Sequence, residues 1–209
     1  MIFPDIELEK KLWSKGLKYV VGIDEAGRGP LAGPVCAGAV ILNGQSPLSP
    51  LVRDSKKMTE KQREKAYDFI LGNSLAFGVY MVDSAVIDEI GIQEAVRIAM
   101  EKALEELESM LGRRAQYLIV DGTNVESIEG YSMEKIKAGD SKHYSISAAS
   151  ILAKVTRDRY MKEISKKYPV YGFEKHVGYG TKMHIEAINK YGICPIHRKS
   201  FSPIKELYK

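Results

Sequence analysis

Tyr19-Val-Val-Gly-Ile-Asp24 is a short β-branched run, Glu25-Ala-Gly-Arg-Gly-Pro-Leu-Ala32 is rich in turn residues, and Val35-Cys-Ala-Gly-Ala-Val-Ile-Leu42 is a second apolar run. Two such runs around a Gly/Pro segment predict neighbouring strands. Downstream, Asn43-Gly44, Pro47 and Pro50 mark residues 43–50 as a loop. Thr59 opens a helix through the capping box Thr59-x-x-Gln62, and Ala66, Phe69 and Ile70 supply its buried stripe. Residues 75–82 read as a third strand. Ile92, Val96, Ala99, Ala103 and Leu107 recur at helical spacing, which predicts a long amphipathic helix over Ile92–Leu111. Tyr117-Leu-Ile-Val-Asp121 is a short buried strand ending in a carboxylate. Residues 145–167 form another long helix, stopped before Pro169, and residues 181–190 a further one, ended at Gly192. Strands that come early and then alternate with helices imply an α/β fold: a mixed central β-sheet flanked by helices, with a helical C-terminal region.

The chain has 209 residues, a length that fits one domain able to bury roughly 70 % of its unfolded surface. With 44 % hydrophobic and 28 % charged residues it is not a wholly disordered chain. No apolar run reaches the ~18 residues that cross a bilayer, so no membrane partner is expected. Asp5, Glu7 and Glu9 interrupt the apolar residues of the first eleven positions and argue against a signal peptide. Cys36 and Cys194 make neither a disulfide framework nor a C-x-x-C zinc knuckle, so a reducing cytoplasm is the expected compartment. Lys plus Arg (31) exceeds Asp plus Glu (27) by only four, which by itself says nothing about nucleic acid. The basic residues gather at 53–57, 154–159, 166–167 and 197–199, and each group read alone is more often a solvated face than a phosphate track.

The acids at strand ends are more informative. Asp24 and Glu25 sit where the first strand meets its turn, Asp121 ends another strand, and Asp140 follows Gly139 just before a long helix. In open α/β sheets, ligand sites gather at strand ends and the loops beside them. Adjacent strands would point Asp24 and Asp121 into one pocket. Crowded carboxylates repel unless cations occupy the site, and oxygen-only donors favour Mg²⁺ or Mn²⁺. Such ions suit phosphoryl chemistry. Taken one at a time, each acid is more often a turn or cap residue; taken jointly, that reading weakens.

Gly27, Gly29 and Ala32 formally spell G-x-G-x-x-A, a dinucleotide-binding fingerprint. That fingerprint needs a helix to begin inside it and an acid ~20 residues on. Here Gly33-Pro34 and a Val/Ala run follow, and Asp54 comes late, so a nicotinamide enzyme is disfavoured.

Asp24-Glu-Ala-Gly-Arg-Gly-Pro-Leu-Ala-Gly-Pro-Val35 resembles the signature of ribonuclease HII, the type 2 ribonuclease H family. Further blocks agree in the family's order: Asp54-Ser55-Lys56-Lys57, Val120-Asp121-Gly122, and Gly139-Asp140 leading into Ser147-Ala-Ala-Ser-Ile-Leu-Ala-Lys-Val-Thr-Arg-Asp158. The last runs from Tyr168-Pro169 through His176-x-Gly178-Tyr179-x-Thr181 to His197-Arg198-x-Ser200-Phe201. The resemblance covers about residues 19–205.

The resemblance implies a ribonuclease H-like fold in a single catalytic domain, with a core over about residues 19–165 and a C-terminal substrate-binding region over about 166–209. It implies cleavage of RNA in RNA–DNA hybrids and cutting 5′ to single ribonucleotides in duplex DNA, leaving a 3′-hydroxyl and a 5′-phosphate. Asp24, Glu25, Asp121 and Asp140 fall on the four family carboxylates, which hold two divalent ions, Mg²⁺ or Mn²⁺, with Asp24 bridging both. One ion positions the attacking water and the other stabilises the departing 3′-oxygen. Gly27-Arg28-Gly29 falls on the main-chain reader of the 2′-hydroxyl, a role that needs backbone without a Cβ. Tyr179 matches the family tyrosine at the RNA–DNA junction; Lys56, Lys154 and Arg157 match basic positions expected near substrate phosphates. One active centre needs only a monomer, so a monomer without an obligate protein partner is expected. A catalytically silent hybrid-binding module is the alternative, and would be marked by loss of an acid; none is lost.

The same residues also have plainer readings. Lys154 and Asp158 stand at i, i+4 and can pair on a helix. His143, His176, His184 and His197 have no zinc-like spacing with the cysteines; His176 and His197 read as structural hydrogen-bonding groups, Cys36 as a small buried hydrophobe, and Trp13 as an anchor for the N-terminal segment. The short segment before the acids and the Gly-Arg-Gly turn separate the chain from the related ribonuclease HIII. Residues 201–209 show no paired aromatics of a sliding-clamp-binding segment. Thr123 stands between Gly122 and Asn124, where the family's Asn often follows the Gly directly; this should affect the loop rather than the ligand.

Overall fold

A computed structural model of the chain describes residues 3–45 and 47–207. Met1, Ile2, Tyr208 and Lys209, the ends of the stretches read above for a leader and a clamp-binding segment, lie outside the described residues. In chain order the elements are α1 (Glu7–Ser14), β1 (Val20–Ala26), β2 (Val35–Leu42), a 3₁₀ turn (Ser55–Lys57), α2 (Glu60–Asn73), β3 (Ser74–Val82), α3 (Ser84–Ile90), α4 (Ile92–Leu111), β4 (Tyr117–Asp121) and β5 (Met133–Ile136). A second 3₁₀ turn (Gly139–Ser141), α5 (Tyr144–Lys167), a third 3₁₀ turn (Pro169–Tyr171), α6 (Phe173–His176), α7 (Lys182–Tyr191) and α8 (Ile204–Leu207) complete it.

The sheet has the order β3-β2-β1-β4-β5. Its first three strands form an antiparallel meander, and β4 and β5 add in parallel beside β1. It is therefore the mixed sheet the sequence implies. Strand alternation divides its two faces. Val21 and Ile23 of β1 and Val35, Ala37, Ala39 and Ile41 of β2 pack against the apolar stripe of α4, from Ala95 to Leu107. The opposite face carries Gly22, Gly38 and Val40, and receives α5. A Cβ at Gly22 would overlap Ser145, and one at Gly38 would overlap the carbonyl oxygen of Ala149. Two glycines on neighbouring strands, facing Ser and Ala on the helix, thus let the α5 backbone lie directly on the sheet.

The predicted elements recur with boundaries shifted by at most a residue or two. The capping box of α2 is formed in full: Gln62 N–H donates to Thr59 Oγ1 at 3.3 Å and Thr59 N–H to Gln62 Oε1 at 3.0 Å. Trp13 packs with Leu12, Val20, Ile119 and Ile146, which anchors α1 as expected. Glu9 on α1 accepts from Ser145 N–H and Oγ at 3.1 and 2.7 Å, so the start of α5 is capped from another segment. The sequence reading lacked α1, α3, β5 and the one-turn helices α6 and α8. β5 is Met-Glu-Lys-Ile, too short and polar to signal a strand, and exists because β4 offers it a parallel edge.

Beyond α5 the chain folds back on the β1–β2 turn. Phe173, Tyr171, Ile188, Cys194 and Ile204 bury themselves against Leu31, Ala32 and Met161. The C-terminal part is thus packed on the Gly/Pro segment that follows the first acids. Among the described residues no helix is long and apolar enough to cross a membrane.

Candidate active site

The sheet register brings the strand-end acids together. Ile23 pairs with Val120, so Asp24 and Asp121 are the next residues on neighbouring parallel strands. Ile23 and Val120 both face α4, so alternation turns both acids to the α5 face. Asp140 arrives through the Gly139–Ser141 turn, which is tied down when Gly139 N–H donates to Asp121 Oδ1 at 2.6 Å. One carboxylate oxygen from each of Asp24, Asp121 and Asp140 lies within 4.8 Å of the others. Glu25, the fourth expected acid, accepts instead from Arg28 Nε at 3.0 Å.

This cluster is electrostatically costly. Asp24 is only 4 % exposed. Burial, then the charges of Glu25 and Asp121, push its carboxyl well above the usual carboxylate range. Burial also raises Glu25, against the lowering effect of Arg28, and raises Asp121 against the Gly139 N–H bond. Lys56 donates to Asp140 Oδ2 at 3.0 Å. Burial opposes its charge, but Asp140 outweighs that and raises the Lys56 ammonium. One exposed lysine against three converging carboxylates leaves a net negative, oxygen-only donor set. Hard divalent cations fit such a set, because they neutralise the charge and match the donors.

Asp24, Glu25 and Asp121 open into a cleft of about 480 Å³. Asp24, Glu25, Gly27, Arg28, Gly29, Lys56, Asp121, Lys154 and Tyr179, all singled out in the sequence, line it. Tyr179 is 45 % exposed at its rim, within reach of Gly29. Lys154 both lines the cleft and pairs with Asp158 at 2.8 Å. The sequence reading passed over Ser55, Arg63 and Ser150, which also line it. Ser150 hydrogen-bonds Asp24 and lies 3.2 Å from Ser55 Oγ. Its place one helical turn before Lys154 was a signal for it; Arg63, on α2, had none.

Arg157 is placed differently from its expected position near phosphates. It is 1 % exposed and donates to the carbonyls of Pro34 (2.8 Å), Val177 (3.0 Å) and Ala32 (3.1 Å). A Cβ at Gly27, where φ is +94°, would overlap its Nε. Arg198, fully buried, donates to the carbonyls of Gly33 (2.9 Å), Arg28 (3.0 Å) and Gly27 (2.6 Å). Burial lowers both guanidiniums, and Arg157 lowers Arg198 further.

His176 and His197 make structural hydrogen bonds, as expected, and His184 joins them, whereas His143 Nδ1 is buried without a hydrogen-bond partner among the described residues. The carbonyl of Tyr179 can only accept, so His184 Nδ1 donates to it at 2.9 Å. His184 Nε2 then accepts from His197 Nε2 at 3.0 Å, and His197 Nδ1 accepts from Cys194 N–H at 2.9 Å. Both rings must stay neutral to keep this order. Burial, with the neighbouring imidazoles, pushes each down to about 4. Both cysteines are free and buried, and burial pushes the Cys36 thiol up to about 12.

Comparison with known proteins agrees with this geometry. A family profile described as Ribonuclease HII matches residues 21–204. A Ribonuclease HII of Caldicellulosiruptor bescii is 52 % identical over 195 residues, covering 93 % of this chain and 92 % of the relative. One of Bacillus cereus is 50 % identical over 199 residues, covering 95 % of this chain and 75 % of the relative. The crystal structure of the ribonuclease H2 from Pyrococcus horikoshii matches with a TM-score of 0.74 at 28 % identity, over 90 % of this chain and 96 % of that one. With the signature blocks in order, the profile spanning nearly the whole chain and relatives at half identity, the chain belongs to the ribonuclease HII family.

Proposed function

We propose that this protein is an endoribonuclease that hydrolyses the RNA strand of RNA–DNA hybrids and cuts 5′ to single ribonucleotides in duplex DNA, leaving a 3′-hydroxyl and a 5′-phosphate. One observation carries the reading: carboxylate oxygens of Asp24, Asp121 and Asp140 lie within 4.8 Å of one another, and Asp24 and Asp121 line the same cleft as the Gly27–Gly29 backbone and Tyr179. A site for phosphodiester chemistry therefore adjoins a main-chain surface able to test a 2′-hydroxyl.

Asp24, Asp121 and Asp140, with Glu25 beside them, would hold two divalent ions, Mg²⁺ or Mn²⁺. When bound, these supply nucleophile activation and leaving-group stabilisation. The chain's own residues do the rest. Ser150 and the Gly139 N–H orient the carboxylates. Lys56 and Lys154 give the cleft positive charge for the phosphates that flank the cut. Gly27 and Gly29 bring backbone to the ribose, and the Tyr179 ring packs against the next sugar. The C-terminal region supports this face. Two buried free thiols suit a reducing cytoplasm.

The test is cleavage of an end-labelled duplex containing one ribonucleotide, with Mg²⁺, with Mn²⁺ and with chelator, beside Asp121→Asn. A single metal-dependent cut 5′ to the ribonucleotide, absent in the variant, is the expected result. Tight binding without any cut would leave a hybrid-binding module instead.

A further inference from the structure

Arg157 and Arg198 together take six carbonyls, two of which belong to the cleft-lining residues Gly27 and Arg28. Arg198 holds Gly27, Arg28 and Gly33; Arg157 holds Ala32 and Pro34. The third Arg157 bond crosses to Val177, two residues before Tyr179. Val177 has φ +44°, a left-handed conformation that a β-branched side chain rarely adopts. Such strain persists only where the surroundings over-determine it. Here Gly178 O accepts from Leu31 N–H at 2.8 Å, and a Cβ at Gly178 would overlap the carbonyl of Ala32. The strained turn is thus pressed against the loop that Arg157 grips.

The charge pattern is also unusual. Among the described residues neither arginine has a carboxylate within ion-pair distance, although both are buried and raise each other's electrostatic cost. Carbonyl dipoles take the place of a counter-anion. A loop whose carbonyls turn inward to two guanidiniums keeps a fixed backbone orientation. Leu31 and Gly33 N–H groups are used internally, to Gly178 and Ile196. A planar guanidinium binds three carbonyls in one rigid fork; a lysine ammonium cannot reproduce that geometry.

We propose that Arg157 and Arg198 are positioning residues for ribose selection: the pair fixes the Gly27–Gly29 backbone against the Tyr179 turn, without itself touching the substrate. This rests on the proposed function, in which those two segments read the ribose and the junction. It replaces the phosphate contact expected of Arg157 and gives a role to Arg198, which that expectation did not include.

The test uses the full chain with Arg157→Lys and Arg198→Lys, each keeping the positive charge and losing the fork. Cleavage is measured on a duplex with one ribonucleotide and on an all-RNA hybrid, alongside Mn²⁺ titration and thermal melting. A single ribonucleotide offers one register, whereas a hybrid offers many. The ratio of kcat/KM for the single-ribonucleotide substrate to that for the hybrid should therefore fall about 10-fold or more, with Mn²⁺ affinity unchanged. Folded variants that keep the wild-type ratio, even with lower melting temperature, would overturn the proposal, since a merely structural role scales both substrates alike. Wild-type protein that cuts neither substrate would overturn the nuclease reading instead.

Should the variants not fold, amide hydrogen exchange on the wild type decides the matter. The Leu31, Gly33 and Tyr179 amides should be protected like those of β1. Exchange at the rate of open turns would show that nothing holds the two segments, and the proposal would fall.

Discussion

Replacing Asp24 with Asn should make the metal-free protein more stable while abolishing cleavage. Asp24 is buried, with oxygens of Asp121 and Asp140 within 4.8 Å. At that distance and an effective dielectric near 20, each pair of charges repels by ~3.5 kcal/mol. The Lys56 ammonium on Asp140, solvent in the open cleft and partial protonation all reduce this sum, and about 2 kcal/mol of relief is expected. Asn keeps the shape and can still accept the Glu25 N–H bond that Asp24 Oδ1 takes at 2.7 Å. For a chain of this length, ~2 kcal/mol raises the melting temperature by about 4–8 °C.

The size of this gain depends on pH. The folded-state pKa of Asp24 is raised, so the unfolded chain releases that proton first as pH rises. Metal-free wild type therefore loses stability relative to Asp24→Asn as pH rises through that folded value. The gap closes in acid, where both side chains are neutral. Divalent ions should reverse the order: at ~100 times its dissociation constant an ion adds ~2.7 kcal/mol to the wild type, and less to the variant. The assay is thermal melting of both proteins in chelator and in Mn²⁺ across pH. A variant that melts no higher than wild type in chelator, or gains equally from Mn²⁺, would refute the account of these carboxylates as a strained cation site.

Gly38→Ala should lower the melting temperature by several degrees, from an overpacking cost of ~1–3 kcal/mol, because the new Cβ meets the Ala149 carbonyl; an unchanged melt would mean that α5 does not lie on the sheet as described. His184 and His197 have folded pKa values depressed to about 4, so the unfolded chain takes up protons first and stability should fall as pH drops from about 6.5 toward 4. His184→Gln should flatten that dependence, as read by melting temperature against pH. Tyr179→Ala should weaken discrimination of the RNA–DNA junction, measured as the ratio of single-ribonucleotide to all-RNA cleavage; an unchanged ratio would remove Tyr179 from recognition.

Local chemistry made much of this protein legible from sequence alone. Apolar periodicity placed α4 and β4, the Thr59/Gln62 pair placed the start of α2, and the β-branched runs around residues 24–35 placed β1 and β2. Those signals act within one turn or one strand, so the residues themselves carry them. The four acids and the Gly-Arg-Gly turn were legible for a different reason: their types and order matched a family signature. Tertiary structure decided what depends on partners far along the chain. β5 forms only because β4 supplies an edge, and α5 starts where Glu9, more than a hundred residues away, caps it. The parallel β1–β4 register selects which acids converge, while Arg28 engages Glu25. Arg157 shows the limit most clearly. The family resemblance puts Arg157 near substrate phosphates, because a matched position records charge but not burial. The fold turns it inward, where backbone carbonyls from loops far apart in sequence meet its fork. Positive charge is a property of the residue; what satisfies it is a property of the packing.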